Sequence, residues 1–263
     1  MTTHWSRYHA AWERLGPPLR PHAEACAAYR RLVGGCAGPV LLLGVTPELA
    51  DIAPRVVAVD RAYPLIAGVW PGNTSRRRAV NGNWMTLPFA NGYFAAVVGD
   101  GALNSVDHPA GQRRVYDEAA RVLRPGGRAV FRVYAAPRRC ESIAQVRDDL
   151  MAGAIGSFHA FKWRLAMALV ARDKNPNICL RTIYDSFINE FPRRDLIARA
   201  AGWDAADIDT IELYRDSTEV YSFPSTEQFE SIVPASFANV RFAESGRYEL
   251  AERCPLLSMD LRS

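Results

Sequence analysis

The sequence has almost no lysine. Lys162 and Lys174 are the only two in 263 residues, so arginine supplies nearly all of the positive charge. The chain therefore has no lysine-rich arm of the kind that follows a phosphate backbone, and a net charge of +4 with pI ≈ 8.9 does not by itself make a nucleic-acid binder. The triplet Arg76-Arg77-Arg78 reads as a solvated loop. Paired cysteines are missing too. Cys26, Cys36, Cys140, Cys179 and Cys254 include no Cys-x-x-Cys, and the histidines are equally dispersed, which argues against a metal site and suits reduced thiols. No apolar run is long enough to cross a bilayer, and the first residues lack the apolar core of a signal peptide. The expectation is a cytoplasmic protein that does not enter a membrane. A glycine-rich phosphate loop is absent as well, and that absence narrows the ligand.

What is present is a strand–turn–helix–strand unit over residues 39–60. The buried run Val40 to Leu43 ends on Gly44, a short helix can begin at Pro47, and a second run, Val56 to Val59, ends on Asp60. Such units open doubly wound α/β sheets, whose ligands sit at the carboxyl ends of the strands. Dinucleotide folds place pyrophosphate on the first helix N-terminus. Here the turn reads Gly44-Val45-Thr46-Pro47-Glu48, and Glu48 would occupy the positive end of the helix dipole and repel phosphate. The expected ligand is a nucleoside cofactor without phosphates, its ribose hydroxyls held by Asp60. S-adenosylmethionine fits, and NAD is disfavoured.

The pattern continues along the chain. A helix over 21–35 stops at Gly34-Gly35. Helix Pro64 to Trp70, a short third strand at Ala79-Val80, a fourth strand Ala95 to Gly99, helix Pro109 to Leu123 and a fifth strand Arg128 to Tyr134 follow. The segments Val40-Leu41-Leu42-Leu43-Gly44, Val57-Ala58-Val59-Asp60, Gly82-Asn83-Trp84-Met85-Thr86-Leu87-Pro88-Phe89, Phe94 to Asp100 and Val122-Leu123-Arg124-Pro125-Gly126-Gly127, in that order, resemble a class I (Rossmann-like) S-adenosylmethionine-dependent methyltransferase. The resemblance covers about residues 39–134 and the end of the chain. It departs at the first loop, where the family's acidic-x-Gly-x-Gly-x-Gly has Leu42, Thr46 and Glu48 at the acidic, second and third glycine positions. The methionine end of the cofactor must then be held differently. Asn83 stands where the family has an acid, and it still offers an acceptor and a donor to an adenine edge.

The resemblance implies an α/β fold: a doubly wound, mostly parallel seven-stranded sheet with an antiparallel last strand, and a helical lid inserted between strands five and six. The divisions expected are 1–38, an aromatic cap and helix; 39–134, the cofactor-binding core; 135–217, the lid on the substrate side; and 218–263, the rest of the core with a final hairpin. In the lid, Phe158, Phe161, Leu165 and Leu169 form one helical stripe, and Leu180, Ile183, Tyr184, Phe187, Ile188 and Phe191 form another that Pro192 closes. Ser225-x-x-Gln228 is a capping box.

The cofactor-binding candidates are Gly44, Val45, Thr46, Asp60, Arg61, Gly82, Asn83, Trp84, Asp100, Gly101, Ala102 and Asn104. Trp5, Tyr8 and Trp12 recur at helical spacing and are candidates for a cap, and Tyr184 for substrate contact. Tyr134 and His159 are the candidate bases. The expected activity is methyl transfer from S-adenosylmethionine to N or O of a small acceptor, by a monomer or homodimer. Because the first loop is altered, two alternatives stay open. One is another use of the sulfonium, such as cyclisation of its aminobutyryl arm with release of methylthioadenosine. The other is a non-catalytic cofactor-binding domain.

Overall fold

The structure is a computed structural model describing residues 4–191 and 193–263. Pro192, expected to close a lid helix, and the first three residues of the cap region lie outside the described residues.

Helix α1 (His4–Ala10) and a single 3-10 turn (Trp12–Arg14) lead into α2 (Ala23–Val33), whose Ala25, Ala28 and Tyr29 are buried. The core then alternates: β1 (Val40–Leu43), β2 (Val56–Asp60), α3 (Tyr63–Gly68), β3 (Arg77–Asn81), β4 (Phe94–Asp100), α4 (Ala110–Val122) and β5 (Leu123–Arg132). The first two strands match the apolar runs residue for residue, because strands covered on both faces read as continuous Val and Leu. Strand β3 is longer than Ala79-Val80. It begins inside the arginine triplet, where Arg77 pairs with Asp51 at 2.6 Å.

The lid holds α5 (Ile143–Met151), α6 (Phe158–Asp173), β6 (Asn177–Cys179), α7 (Leu180–Glu190), α8 (Arg194–Ala201) and α9 (Ala205–Ile208), then β7 (Val220–Ser222). Helix α8 ends at Gly202, which takes a left-handed conformation. Helix α6 differs from its striped reading. Every residue from Phe158 to Val170 is buried, so the helix is the lid's central pillar rather than an amphipathic cover. The extended stretch near 218–223, grouped with the core in the sequence reading, pairs antiparallel with β6 and so joins the lid.

Helix α10 (Thr226–Ser231) starts with the expected capping box, with Ser225 and Gln228 bonding reciprocally. β8 (Phe237–Ala243) and β9 (Leu256–Leu261) finish the chain. The seven-stranded sheet runs β3-β2-β1-β4-β5-β9-β8. Strands β1 to β5 are parallel, and β9 enters antiparallel between β5 and β8. Strand order reverses between β1 and β4, so the carboxyl edge there is the switch point. The lid and α1 close over that edge.

Candidate functional site

The backbone of the edge is shaped first. Gly44 leaves β1 at φ +97°, a conformation that would strain any residue with a side chain, and its N–H donates to the Val59 carbonyl at 2.9 Å. Gly101 leaves β4 at φ +63°. A Cβ there would meet the Tyr134 ring at 2.8 Å, so only glycine lets the chain pass beneath that ring. The Trp84 indole N–H donates to Val59 O at 2.7 Å, holding that ring beside Gly44.

These turns open a cleft of about 970 Å³ including its mouth. Gly44, Val45, Thr46, Asp60, Arg61, Gly82, Asn83, Trp84, Asp100 and Gly101 line it, along with Trp5, Tyr8 and Trp12 of the cap. Asp60 is 6% exposed, and burial raises its carboxyl to about 6. Its Oδ1 accepts from the Ala62 N–H at 2.8 Å, so it caps the following turn and faces the cleft as well. It makes no ion pair among the described residues.

Five expectations are corrected. Asn104 does not line the cleft. It is fully buried, its amide donates to the Tyr134 and Ser222 carbonyls and its Oδ1 accepts from the Tyr134 N–H, so it splices the segment after β5 to β7. Ala102 is buried beside it, away from the cleft wall. Tyr134 lines the cleft but is a poor base, because burial holds its phenol well above the ordinary range while the hydroxyl donates to Leu19 O at 3.1 Å. His159 lies outside the cleft wall. Burial lowers it to about 3, and its Nε2–H donates to the Arg14 carbonyl at 2.9 Å. Tyr184 is on the outer side of the lid, its hydroxyl accepting from Arg215 Nε at 3.0 Å.

The dipole argument for Glu48 also changes. Pro47–Leu49 is one 3-10 turn with no helix behind it, and Glu48 is ion-paired to Arg20 at 2.6 Å. Arg20 lies 5.2 Å from the Trp12 ring centroid and donates to the Trp12 carbonyl. The altered first loop is thus a tether for the cap.

Three groups escaped the sequence reading. Arg132 is fully buried and pairs through Nε and Nη2 with both oxygens of Asp100, its register partner on β4. Asp100 therefore presents no free carboxylate to a ligand. A charged residue inside the apolar run Ala129 to Val133 was the available signal. Trp163 and Tyr221, from α6 and β7, complete the roof, and no local pattern distinguishes them from lid core. The buried indole N–H groups of Trp5, Trp12 and Trp163 have no partner among the described residues. Unpaired buried donors of this kind cost about 1–3 kcal/mol each, which a ligand bearing acceptors would relieve.

Chemically, the floor is a cradle with one unpaired carboxylate and the roof is aromatic. Among the described residues no group of three or more His, Cys, Asp or Glu could hold a metal ion. No helix among them is long and apolar enough to cross a membrane.

Comparison with known proteins agrees with this geometry. Residues 41–131 match the family described as a methyltransferase domain. Demethylmenaquinone methyltransferases from Mycolicibacterium vanbaalenii and Mycolicibacterium gilvum are 41% and 40% identical over 93 residues, which is 35% of this chain. The match spans only 38% of those relatives' length. Among solved structures, the CcbJ methyltransferase of Streptomyces caelestis superimposes with TM-score 0.59 over 100% of this chain and 99% of its own, at 13% identity. A Rhodobacter sphaeroides protein provisionally described as a Zn-dependent alcohol dehydrogenase gives 0.59 over 100% of both chains, also at 13%. The N-methyltransferase NodS of Bradyrhizobium japonicum, in complex with S-adenosyl-L-homocysteine, gives 0.54 over 100% and 99%, again at 13%. At such identities these likenesses show the fold alone. Within that fold, residues 41–131 are a methyltransferase domain of the class I S-adenosylmethionine-dependent family.

Proposed function

We propose that the chain transfers the sulfonium methyl group of S-adenosylmethionine to nitrogen or oxygen of a small acceptor. One observation carries this reading: the strand-end cradle of Gly44, Asp60, Asn83, Trp84 and Gly101 lies in the same cleft as Trp5, Tyr8 and Trp12. The residues fit the cofactor. Asp60 has one carboxylate oxygen beyond its bond to Ala62 for a ribose diol, Gly44 puts no Cβ between the Trp84 ring and the Thr46 hydroxyl, and the orphaned indole donors suit a ligand rich in acceptors. Trp84 and Asn83 would flank the adenine. The bound cofactor supplies an electrophilic methyl on a positively charged sulfur. The protein's part is to align the acceptor and exclude water, since displacement from a neutral leaving group depends chiefly on approach.

The demethylmenaquinone methyltransferases are named for a quinone acceptor. That acceptor does not transfer to this chain on a match to 38% of their length. A cytoplasmic enzyme of division 1–38, 39–134, 135–217 and 218–263, with a small-molecule acceptor and no nucleic acid, remains our reading, with β7 allotted to the lid.

Calorimetry with S-adenosylmethionine and S-adenosylhomocysteine tests the proposal. Binding of both, followed by S-adenosylhomocysteine as product in the presence of acceptor, supports it. Methylthioadenosine as product would favour cyclisation instead, which the altered first loop keeps in view. Absence of binding by either compound would overturn the reading.

A further inference from the structure

We propose that the acceptor is an aliphatic amine, entering as the free base and leaving as a methylammonium held against aromatic faces. This rests on the methyltransferase reading above. Three observations point to an amine.

The roof is a cage rather than a slot. Trp5 and Tyr8 meet at 66°, as do Tyr8 and Trp12, while Trp163 meets Tyr221 at 52° and Tyr134 at 51°. A flat ring needs parallel walls, whereas walls at steep angles surround a compact head. Trp12 and Tyr134 already carry guanidinium groups on one face, Arg20 at 5.2 Å and Arg132 at 5.3 Å from the centroids. Trp5, Tyr8, Trp163 and Tyr221 are left to face a guest. Such rings attract alkylammonium groups through their negative faces.

The charge balance favours a cation. Arg61 is paired with Glu219 at 2.7 Å, and Asp100 with Arg132. Asp60 is the remaining charged group of the wall, and it is an anion.

Apart from Asp60, which is assigned to the ribose, the described residues of the cleft wall also offer no ready base. Burial raises the phenols of Tyr8, Tyr134 and Tyr221 above their ordinary range, His159 is outside the wall, and Asp100 is engaged. A hydroxyl acceptor needs its proton removed as it attacks. An amine does not. Its lone pair forms the N–C bond, the C–S bond breaks with its electron pair passing to sulfur, and the positive charge moves from sulfur to nitrogen. A tertiary amine then stays as a quaternary ammonium, and a less substituted one loses its proton to water. The aromatic faces stabilise the charge that develops on nitrogen.

The experiment uses the full chain saturated with S-adenosylhomocysteine, titrated with choline and with its uncharged isostere 3,3-dimethyl-1-butanol. Choline is expected to bind about tenfold tighter than the isostere. Trp163→Leu and Tyr221→Leu should reduce that preference to about twofold, and Trp163→Phe and Tyr221→Phe should keep most of it. Equal binding of the two probes, or no choline binding, with S-adenosylhomocysteine bound normally, would overturn the amine assignment alone. Failure of S-adenosylhomocysteine to bind the unmodified protein would overturn the methyltransferase reading and the amine assignment with it. The wild-type comparison needs no variant to fold.

Discussion

The floor and the roof of the cleft both bury ionisable groups, but they do so by opposite means. In the floor, Asp100 and Arg132 are buried as ions and satisfy one another, with the Arg132 backbone N–H held by the Tyr29 hydroxyl, which in turn donates to Gly99 O. In the roof, the histidines are buried uncharged. The His4 Nδ1–H donates to the Leu213 carbonyl at 3.1 Å, tying cap to lid, and the His159 Nε2–H donates to Arg14 O, tying lid to cap. The second ring nitrogen of each has no partner among the described residues. Burial lowers His4 to about 4 and His159 to about 3, and Lys162 on the same lid helix falls to about 7. A paired floor holds its shape over a wide pH range. A neutral roof docks only while its histidines are deprotonated.

The largest effect expected from this contrast is in the floor. Arg132→Met leaves the Asp100 carboxylate buried without its cation, a change of about 3–5 kcal/mol. Thermal unfolding should show it as a large drop in Tm. Adding Asp100→Leu to the same variant should recover much of the loss, because an apolar pair replaces an ionic one. A single variant within 1 °C of wild type would break the comparison at its floor.

The roof comes next, and its sign follows from the protonation states. Each histidine binds its proton less tightly folded than unfolded. Their contribution is complete above about pH 6.5 and is lost as pH falls from there toward 4 for His4 and 3 for His159. Arg7 and Lys162, both near His4, oppose its protonation further. Undocking of α1 between pH 6.5 and 4 should appear as a change in tryptophan fluorescence and faster amide exchange in residues 4–14, before the sheet unfolds. The shifts correspond to roughly 3–5 kcal/mol per histidine. His4→Gln should move the transition to lower pH. A roof that stays docked to pH 4 would remove the contrast.

This contrast also marks how far the sequence could be read. Strands β1, β2 and β4, the capping box at Ser225 and the terminal hairpin were legible because each is encoded locally, by an apolar run or a cap residue at fixed spacing. Asp60 and the glycines at 44, 82 and 101 were legible because strand ends in this order must converge. Asn104, Tyr134 and His159 were misread because their roles depend on partners far along the chain: Ser222, Leu19 and Arg14. Helix α6 was misread for the reverse reason. It was read as a single apolar stripe, yet the face off that stripe is buried as well, with His159 bonded to Arg14 of the cap, Lys162 to Thr210 and Arg164 to Glu141 within the lid.

Asp60 joins floor to roof as the wall's unpaired acid, and its effect is on binding more than on stability. Asp60→Ala should weaken S-adenosylhomocysteine binding about tenfold to a hundredfold by calorimetry, from losing charge-assisted bonds to the ribose. Burial raises Asp60 to about 6, so wild-type affinity should fall as pH drops through 6 and the carboxylate is protonated. The alanine variant should lack that step. Its folded state prefers the neutral acid, so Asp60 stabilises below about pH 4 and loses that contribution as pH rises through 6, opposite in sign to the histidines.

The smallest effect belongs to Tyr184, and it sharpens the boundary of the roof. Its ring carries Arg215, 5.6 Å from the centroid, and its hydroxyl accepts from the same guanidinium on the outer face of the lid. Exposed contacts of this kind contribute about 0–1 kcal/mol. Tyr184→Ala should therefore lower Tm by only a few degrees and leave methyl-transfer kcat/KM within about threefold of wild type. Trp163 is on the inner side of the same lid, fully buried against the cleft, and Trp163→Leu should act on acceptor affinity. If Tyr184→Ala cost more activity than Trp163→Leu, the acceptor would approach from outside the lid, and the roof as drawn here would be the wrong wall of the site.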